Sequence, residues 1–246
     1  MYKYQILIEY VGTNFIGWQI QTKGKSIQKL IQNKLSKILN QKVLLVGSGR
    51  TDSGVHAIEQ SAHFEIKKKI QNLNKFLKSI NYFVNNESIS ILKIKRKNAN
   101  FHARYSAKQR IYKYIIFNRV SRPSIEKDRG WHIITKLDVN IMKKGAKKLL
   151  GKKDFSTFRA SSCNAKSPIR TIKSIKIKSV KGKIEIQFKS QSFLQQQVRS
   201  MVGCLRYLGE KKWDLKNFDI IFKSKKRNLC APPAPAEGLF LEKVIY

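Results

Sequence analysis

Between two runs that read as β-strands lies Gly47-Ser48-Gly49-Arg50-Thr51-Asp52-Ser53-Gly54-Val55-His56-Ala57, and no other stretch limits the fold so tightly. Upstream, residues 43–46 are wholly apolar, as a short strand covered on both faces would be. Downstream, Ala62, Phe64 and Ile66 alternate with Ser61, His63 and Glu65, the two-residue period of a strand. The glycines between them give the backbone access to φ > 0 and let a second molecule come close. Arg50 and Asp52, two residues apart, put a guanidinium beside a carboxylate, which keeps the acid ionised and aimed. On chemistry alone this is either a polar turn with a surface ion pair or a functional loop mounted on rigid strands. Phosphate-loop readings fail: no Gly-Lys-Ser/Thr follows, and Gly-x-Gly-x-x-Gly is not met.

The charge says what such a loop would face. Basic residues exceed acidic ones by 36, which implies a polyanionic partner and steered encounter with it. Lysines outnumber arginines about three to one, and Asn and Ile are abundant beside them. Any single lysine therefore reads as a solvated surface group, and specific phosphate contacts are expected among the arginines, whose planar fork suits them. Charge alone does not separate RNA from DNA or an anionic membrane. No apolar run reaches the roughly 18 residues of a membrane span, and no targeting segment is visible, so a cytoplasmic protein with no membrane partner is expected. Cys163, Cys204 and Cys230 lie far apart without Cys-x-x-Cys, which argues against a disulfide framework or a zinc site and for reduced, packed thiols. His56, Glu59 and His63 fall on a strand, and no metal is expected there.

Strand and helix patterns alternate along the chain, as in an α+β fold. Tyr4, Ile6, Ile8 and Tyr10 open it as a strand. Ser26 caps a helix with Ile27, Leu30, Ile31, Leu35, Ile38 and Leu39 on one face. A second helix carries Ile70, Leu73, Phe76, Leu77 and Ile80, and another strand Ile89, Ile91, Leu92 and Ile94. Residues 110–117 alternate as a strand with Tyr112 and Tyr114 on one face, and residues 119–131 form a loop. Asp138 caps a helix ended by Gly151. Lys181-Gly182-Lys183 joins two strands as a hairpin. A helical stripe runs from Phe193 through Leu208 to Gly209, a short helix spans residues 214–222, and residues 239–245 are a final strand.

Gly49-Arg50-Thr51-Asp52-Ser53-Gly54-Val55-His56-Ala57 resembles the signature of the tRNA pseudouridine synthase A family, in which the aspartate is catalytic. Other segments resemble the same family in order: residues 12–19, Phe101-His102-Ala103-Arg104, Tyr112, residues 154–159 and 167–172, Arg199, and the Pro-rich turn 231–239. Gln195-Gln196-Gln197 departs from it, standing where apolar or histidine residues are expected.

The resemblance implies two RRM-like halves, here residues 1–107 and 108–246, whose antiparallel sheets join across a central cleft with helices behind. It implies conversion of uridine to pseudouridine at positions 38 to 40 of the tRNA anticodon stem-loop, without cofactor, by a homodimer. Asp52 would be the catalytic carboxylate, Arg50 its partner, Tyr112 the tyrosine against the target base and Arg199 part of the charge network. Tyr112, Arg104, Arg159 and Arg170 would contact RNA, with the span between Arg159 and Arg170 ordering on it, although a structural role suits Arg104 equally. The alternative is a non-catalytic RNA-binding or RNA-chaperone protein on the same fold. A weaker one is a hydrolase pairing Asp52 with Asp154, marked by release of free uracil.

Overall fold

The computed structural model describes residues 1–246. In chain order the elements are β1 (Tyr2–Tyr10), α1 (Ile27–Leu39), β2 (Val46–Gly47), β3 (His56–Ile66), α2 (Leu73–Val84), β4 (Ile89–Lys97), β5 (Gln109–Asn118), β6 (Trp131–Ile133), α3 (Val139–Lys148), β7 (Gly151–Asp154), β8 (Ile169–Val180), β9 (Lys183–Ser190), α4 (Gln197–Gly209), α5 (Leu215–Ser224) and β10 (Leu239–Ile245). The chain divides into two compact units, one of residues 1–108 with 240–246 and one of residues 109–239. The last strand therefore belongs with the first unit, whereas the sequence reading carries the second domain to residue 246. Phe240 and Leu241 pair with His56 and Ala57, a non-local choice that chain order does not reveal.

In the first unit β1 lies between β3 and β4, antiparallel to both, and β10 adds to β3 in parallel. Tyr4, Ile6, Ile8 and Tyr10 point to one buried face with Ala62, Phe64 and Ile66 opposite them, and the Tyr4 and Phe64 rings stack at 5.7 Å. The buried stripes of α1 (Ile27, Ile31, Leu35) and α2 (Phe76, Ile80, Val84) complete this core. Each fully buried Ile, Leu or Phe contributes roughly 1.5–3 kcal/mol over its exposed state. Ser26 caps α1 by accepting from Lys29 N, and Asn72 caps α2 by accepting from Lys75 N, so α2 starts three residues after Ile70.

The opposite face of β1 and β3 carries polar groups that are buried and bonded. Gln5 Nε2 donates to Ser61 Oγ at 2.8 Å, and Tyr246 Oη lies 2.7 Å from Ser61 Oγ and donates to Ala103 O at 2.9 Å. His63 Nδ1 accepts from Ala103 N at 3.1 Å, and His102 Nδ1 accepts from Arg104 N at 3.2 Å. Residues 101–105 thus fold around two neutral imidazoles.

Residues 43–46 depart from the expected strand. Only Val46 and Gly47 join a ladder, against His63 and Ala62, and Leu44 is 65% exposed. The backbone partners come instead from α1: Gln28 Nε2 donates to Leu45 O at 2.7 Å, while Gln32 Oε1 and Ser36 Oγ accept from Leu45 N and Val43 N. Side chains have satisfied groups that a sheet would otherwise take.

In the second unit β9 pairs antiparallel with β5 and β8, β7 closes the edge on β8, and β6 runs parallel to β5. The ladders within each unit are antiparallel as expected, apart from the short parallel pairs β10–β3 and β6–β5. The β8–β9 turn is Lys181-Gly182 with φ of 48° and 74°, the two left-handed residues of a type I′ hairpin. Tyr112, Phe188 and Ile175 share one sheet face with Tyr114, Ile186 and Ile177. Helix α4 begins at Gln197, so Phe193 and Leu194 precede it: Gln196 sits at φ 59°, and Gln197 Oε1 accepts from Leu194 N at 2.8 Å.

Candidate active site

In the first unit the loop 47–55 is held from below at nearly every residue. Ser48 N donates to Ser61 O at 2.8 Å and Ser48 Oγ to Gln60 Oε1 at 2.7 Å, while Gln60 Nε2 donates to Gly49 O at 2.9 Å. Thr51 is buried; its Oγ1 lies 2.8 Å from Tyr10 Oη, and its carbonyl accepts from Trp18 N at 3.1 Å. Ser53 Oγ donates to Phe15 O at 3.1 Å, and Val55 N donates to Asp52 O at 3.2 Å, closing a turn in which Gly54 has φ 78°. Asp52 occupies this turn with its side chain half-buried.

The Gly12–Trp18 segment is the other wall of the loop. Gly17 has φ 111°, and a Cβ there would lie 2.6 Å from Thr51 O and 3.2 Å from Asp52 C. Gly12 N donates to His56 Nδ1 at 3.0 Å, and the His56 ring stacks on Phe240 at 4.7 Å. Phe15 and Trp18 are buried in the core. Two chain segments thus meet backbone to backbone, which fixes where the Asp52 carboxylate starts from.

The second unit positions Tyr112 and Arg199. Tyr112 stands opposite Phe188 on β5, mostly buried, with its ring edge-on to Phe193 at 5.3 Å. Arg199, in the first turn of α4, donates from Nε to Ala234 O at 2.7 Å, and its own carbonyl accepts from Ala234 N at 3.0 Å. The turn is drawn close to the helix because Gly203 leaves room for Pro232 O, which would stand 2.1 Å from a Cβ. Tyr114 Oη donates to Pro235 O at 2.8 Å, and Gly238 lies against its ring. Burial, then the negative charge of Glu237, holds the Tyr114 phenol well above its ordinary range, with Arg199 opposing.

Five further residues singled out from the sequence are Arg50, Arg159, Arg170, Asp154 and Arg104. Arg50 is exposed and Asp52 half-buried, so an Arg50–Asp52 pair would lie at the loop surface. An exposed pair contributes about 0–1 kcal/mol against the entropy of holding two side chains, so little drives it in the protein by itself. Arg159 Nη2 donates to Cys163 O, and Arg170 Nη1 donates to Ser167 O at 2.9 Å and Ile169 O at 2.6 Å. Both guanidinium groups therefore brace the span 159–170, the span expected to order on RNA. Asp154 accepts from Ser156 N and Oγ through Oδ1 and lies 3.5 Å from Lys225, the role of a turn-former. Arg104 is exposed, its guanidinium over the Tyr105 ring at 5.6 Å.

Sequence reasoning missed Tyr10, Gln60 and His56 as supports of the loop, and Tyr114 with Pro235 as neighbours of the Arg199 turn. Only His56 carried a signal, since it lies inside the motif itself.

Comparison with known proteins bears on what this site serves. A family profile described as "tRNA pseudouridine synthase" matches residues 6–106 and 146–246. The curated "tRNA pseudouridine synthase A" of Pelagibacter ubique (strain HTCC1062) is 76% identical over 246 residues, covering all of both chains. The protein of the same name from Maricaulis maris (strain MCS10) is 37% identical over 246 residues, covering 100% of this chain and 98% of its own. Among solved structures, a chain of a Cbf5-Nop10-Gar1 complex is similar over 83% of this chain and 53% of its own, at 12% identity and a TM-score of 0.36, too slight a likeness to bear on the site. With a profile spanning most of its length and full-length relatives at this identity, the chain belongs to the tRNA pseudouridine synthase family.

Proposed function

We propose that this protein isomerises uridine to pseudouridine in tRNA, at positions 38 to 40 of the anticodon stem-loop, with the Asp52 carboxylate as the catalytic group. The observation that carries the reading is the fixed backbone of residues 51–52. Tyr10 and Trp18 hold Thr51 from inside the unit, so the next residue presents an acid from a rigid base rather than from a mobile loop. Preorganisation of this kind is what catalysis by position and charge requires.

The reaction breaks the bond from ribose to N1, turns the base and rejoins ribose to C5, displacing the C5 hydrogen. It is neither an oxidation nor a reduction, and it consumes no second substrate. An ionised carboxylate against the nucleoside serves it by attack on C1′, by addition to the base or by taking a proton from the sugar. Shielding from water keeps the intermediate from hydrolysis. Extruding the uridine costs a few kcal/mol. Stacking on the Tyr112 ring offsets on the order of 1–3 kcal/mol of that. In the reading taken from the family resemblance, Arg199, held through Nε by the 234 carbonyl, supplies positive charge to the catalytic network. Arg50, exposed on the loop, moves into the gap left by the extruded nucleotide and pairs with Asp52 once RNA excludes water there.

The surplus of 36 positive charges supports a backbone-directed hold on tRNA, with affinity that falls steeply as salt rises. A homodimer follows from the family resemblance, and sedimentation of the purified protein tests it. No helix is long and apolar enough to cross a membrane. The activity and its positions are tested together by carbodiimide labelling and primer extension on tRNA from cells lacking this protein. Stops at 38 to 40 that vanish in those cells and return with the intact gene support the reading. Stops that persist refute it, and they would favour the RNA-chaperone alternative.

A further inference from the structure

Two thiols that this chemistry does not use meet inside the second unit. Cys204 is fully buried in the middle of α4, and Cys230 follows the 3-10 turn Arg227–Leu229, half-buried. They are 26 positions apart in sequence, yet their Sγ atoms lie 3.4 Å from one another. Arg227 stands beside them, donating from Nη1 to Ser200 Oγ at 2.9 Å, one turn before Cys204 on the same helix. The sequence reading left all three cysteines as separate packed thiols; the fold leaves only Cys163 so.

The two sulfurs are not equivalent. The hydrogen bond from the Cys204 thiol, aided by the Arg227 guanidinium and opposed by burial, holds Cys230 below the ordinary thiol range. The same bond, with burial, pushes Cys204 far up. The sulfur with thiolate character is thus also the one nearer solvent, the combination that makes a cysteine reactive. Its neighbour is a proton-bearing thiol already in contact.

We propose that Cys204 and Cys230 form a hydroperoxide-responsive thiol pair whose disulfide fastens residues 227–236 to helix α4. In the first step the Cys230 thiolate attacks a peroxide oxygen, giving the sulfenic acid and releasing alkoxide or hydroxide, which takes a proton from water. In the second, Cys204 sulfur attacks Cys230 sulfur; hydroxide leaves and takes the Cys204 proton as water. Two thiols and one hydrogen peroxide yield one disulfide and two waters, and a dithiol reductant reverses the change by exchange. Closing the contact to a bond requires the sulfurs to approach by about 1.4 Å. The side that must shift is the 227–230 segment, since Cys204 is fixed by the helix. The fastened turn is the one whose Ala234 exchanges hydrogen bonds with Arg199 and whose Pro232 carbonyl lies on Gly203. The proposal does not rest on the tRNA reading.

The test uses the full-length protein, reduced, then treated with equimolar hydrogen peroxide, alkylated and digested for mass spectrometry. The expected product is a peptide linked through Cys204 and Cys230, lighter by two hydrogens, absent in Cys230→Ser and removed by dithiothreitol. Amide exchange at Ala231, Ala234 and Ala236 slows severalfold on oxidation and recovers on reduction. Sulfinic or sulfonic acid at Cys230 with Cys204 still alkylatable after denaturation would overturn the proposal. So would two thiols that stay reduced, or a linked protein whose turn exchanges no more slowly. Cys230→Ser carries the comparison because its side chain is partly exposed, should Cys204→Ser fail to fold.

Discussion

Replacing Gly17 by alanine tests whether Asp52 acts from a backbone held in place. At φ 111° an L-residue is strained, at a cost of about 1–3 kcal/mol. The added Cβ would lie 2.6 Å from Thr51 O, against the 3.4 Å at which ordinary contact begins, so about 0.8 Å must be found by moving one segment from the other. Both neighbours are backbone, and Thr51 is tied to Tyr10 and Trp18, so the shift passes into residues 51–52. A displacement near 1 Å at a reacting group costs on the order of 100-fold in rate. The expected result is a fall in kcat of that order, with tRNA affinity within about threefold because charge, not this turn, dominates binding. The melting temperature falls by about 4–8 °C for 2 kcal/mol in a chain of this size. The assay is release of tritium from tRNA labelled at C5 of uridine. Gly151→Ala is the control: Gly151 has φ 90° but nothing within 4 Å of a Cβ, so it carries the strain without the contact. A folded Gly17→Ala protein that turns over at the parental rate, or a Gly151→Ala protein equally slow, refutes the reasoning.

Gly238→Ala places a Cβ 2.4 Å from the buried Tyr114 ring; urea unfolding is expected to show a loss of about 1–3 kcal/mol from overpacking, and unchanged stability would contradict the packing. Burial, then the His102 and Lys3 charges, lowers the His63 pKa to about 4, while its Nδ1 accepts from Ala103 N. The folded state thus binds the proton less readily than the unfolded chain, whose histidine titrates near 6.5. Its contribution is fully present above pH 6.5 and is lost as pH falls toward 4. Denaturant midpoints at pH 7, 5.5 and 4.5 should fall more steeply in the parent than in His63→Gln; parallel curves would remove the histidine from the account. Arg199→Lys keeps the charge but not the Nε bond to Ala234 O, so kcat is expected to drop at least about tenfold with tRNA affinity little changed; an equal rate would reduce Arg199 to a point charge.

Much of this fold is legible from period and punctuation. The alternation in β1, β3 and β5, the caps Ser26 and Asp138, and the Lys181-Gly182 turn are local signals, and each element formed where they fell. Residues 43–46 misled because an apolar run does not say who satisfies its backbone, and three polar side chains of α1 did so. The return of β10 to the first unit, and the meeting of Cys204 with Cys230, are long-range pairings that no window of sequence contains. At the site the acid was readable through its motif, but its supports were not. Tyr10 reads as one more core tyrosine on a strand, and only coordinates place its hydroxyl on Thr51. Arg159 and Arg170 read as phosphate contacts, and nothing in their spacing announced the carbonyls of their own loop that each also meets.

The central claim is that one carboxylate, at residue 52, performs the isomerisation. Single-turnover tritium release by purified Asp52→Asn protein, alongside its tRNA affinity, tests it most directly. The account predicts binding close to the parent's and no release above background, because the amide keeps the shape of the side chain and loses its charge. Measurable turnover by the Asp52→Asn protein would contradict it.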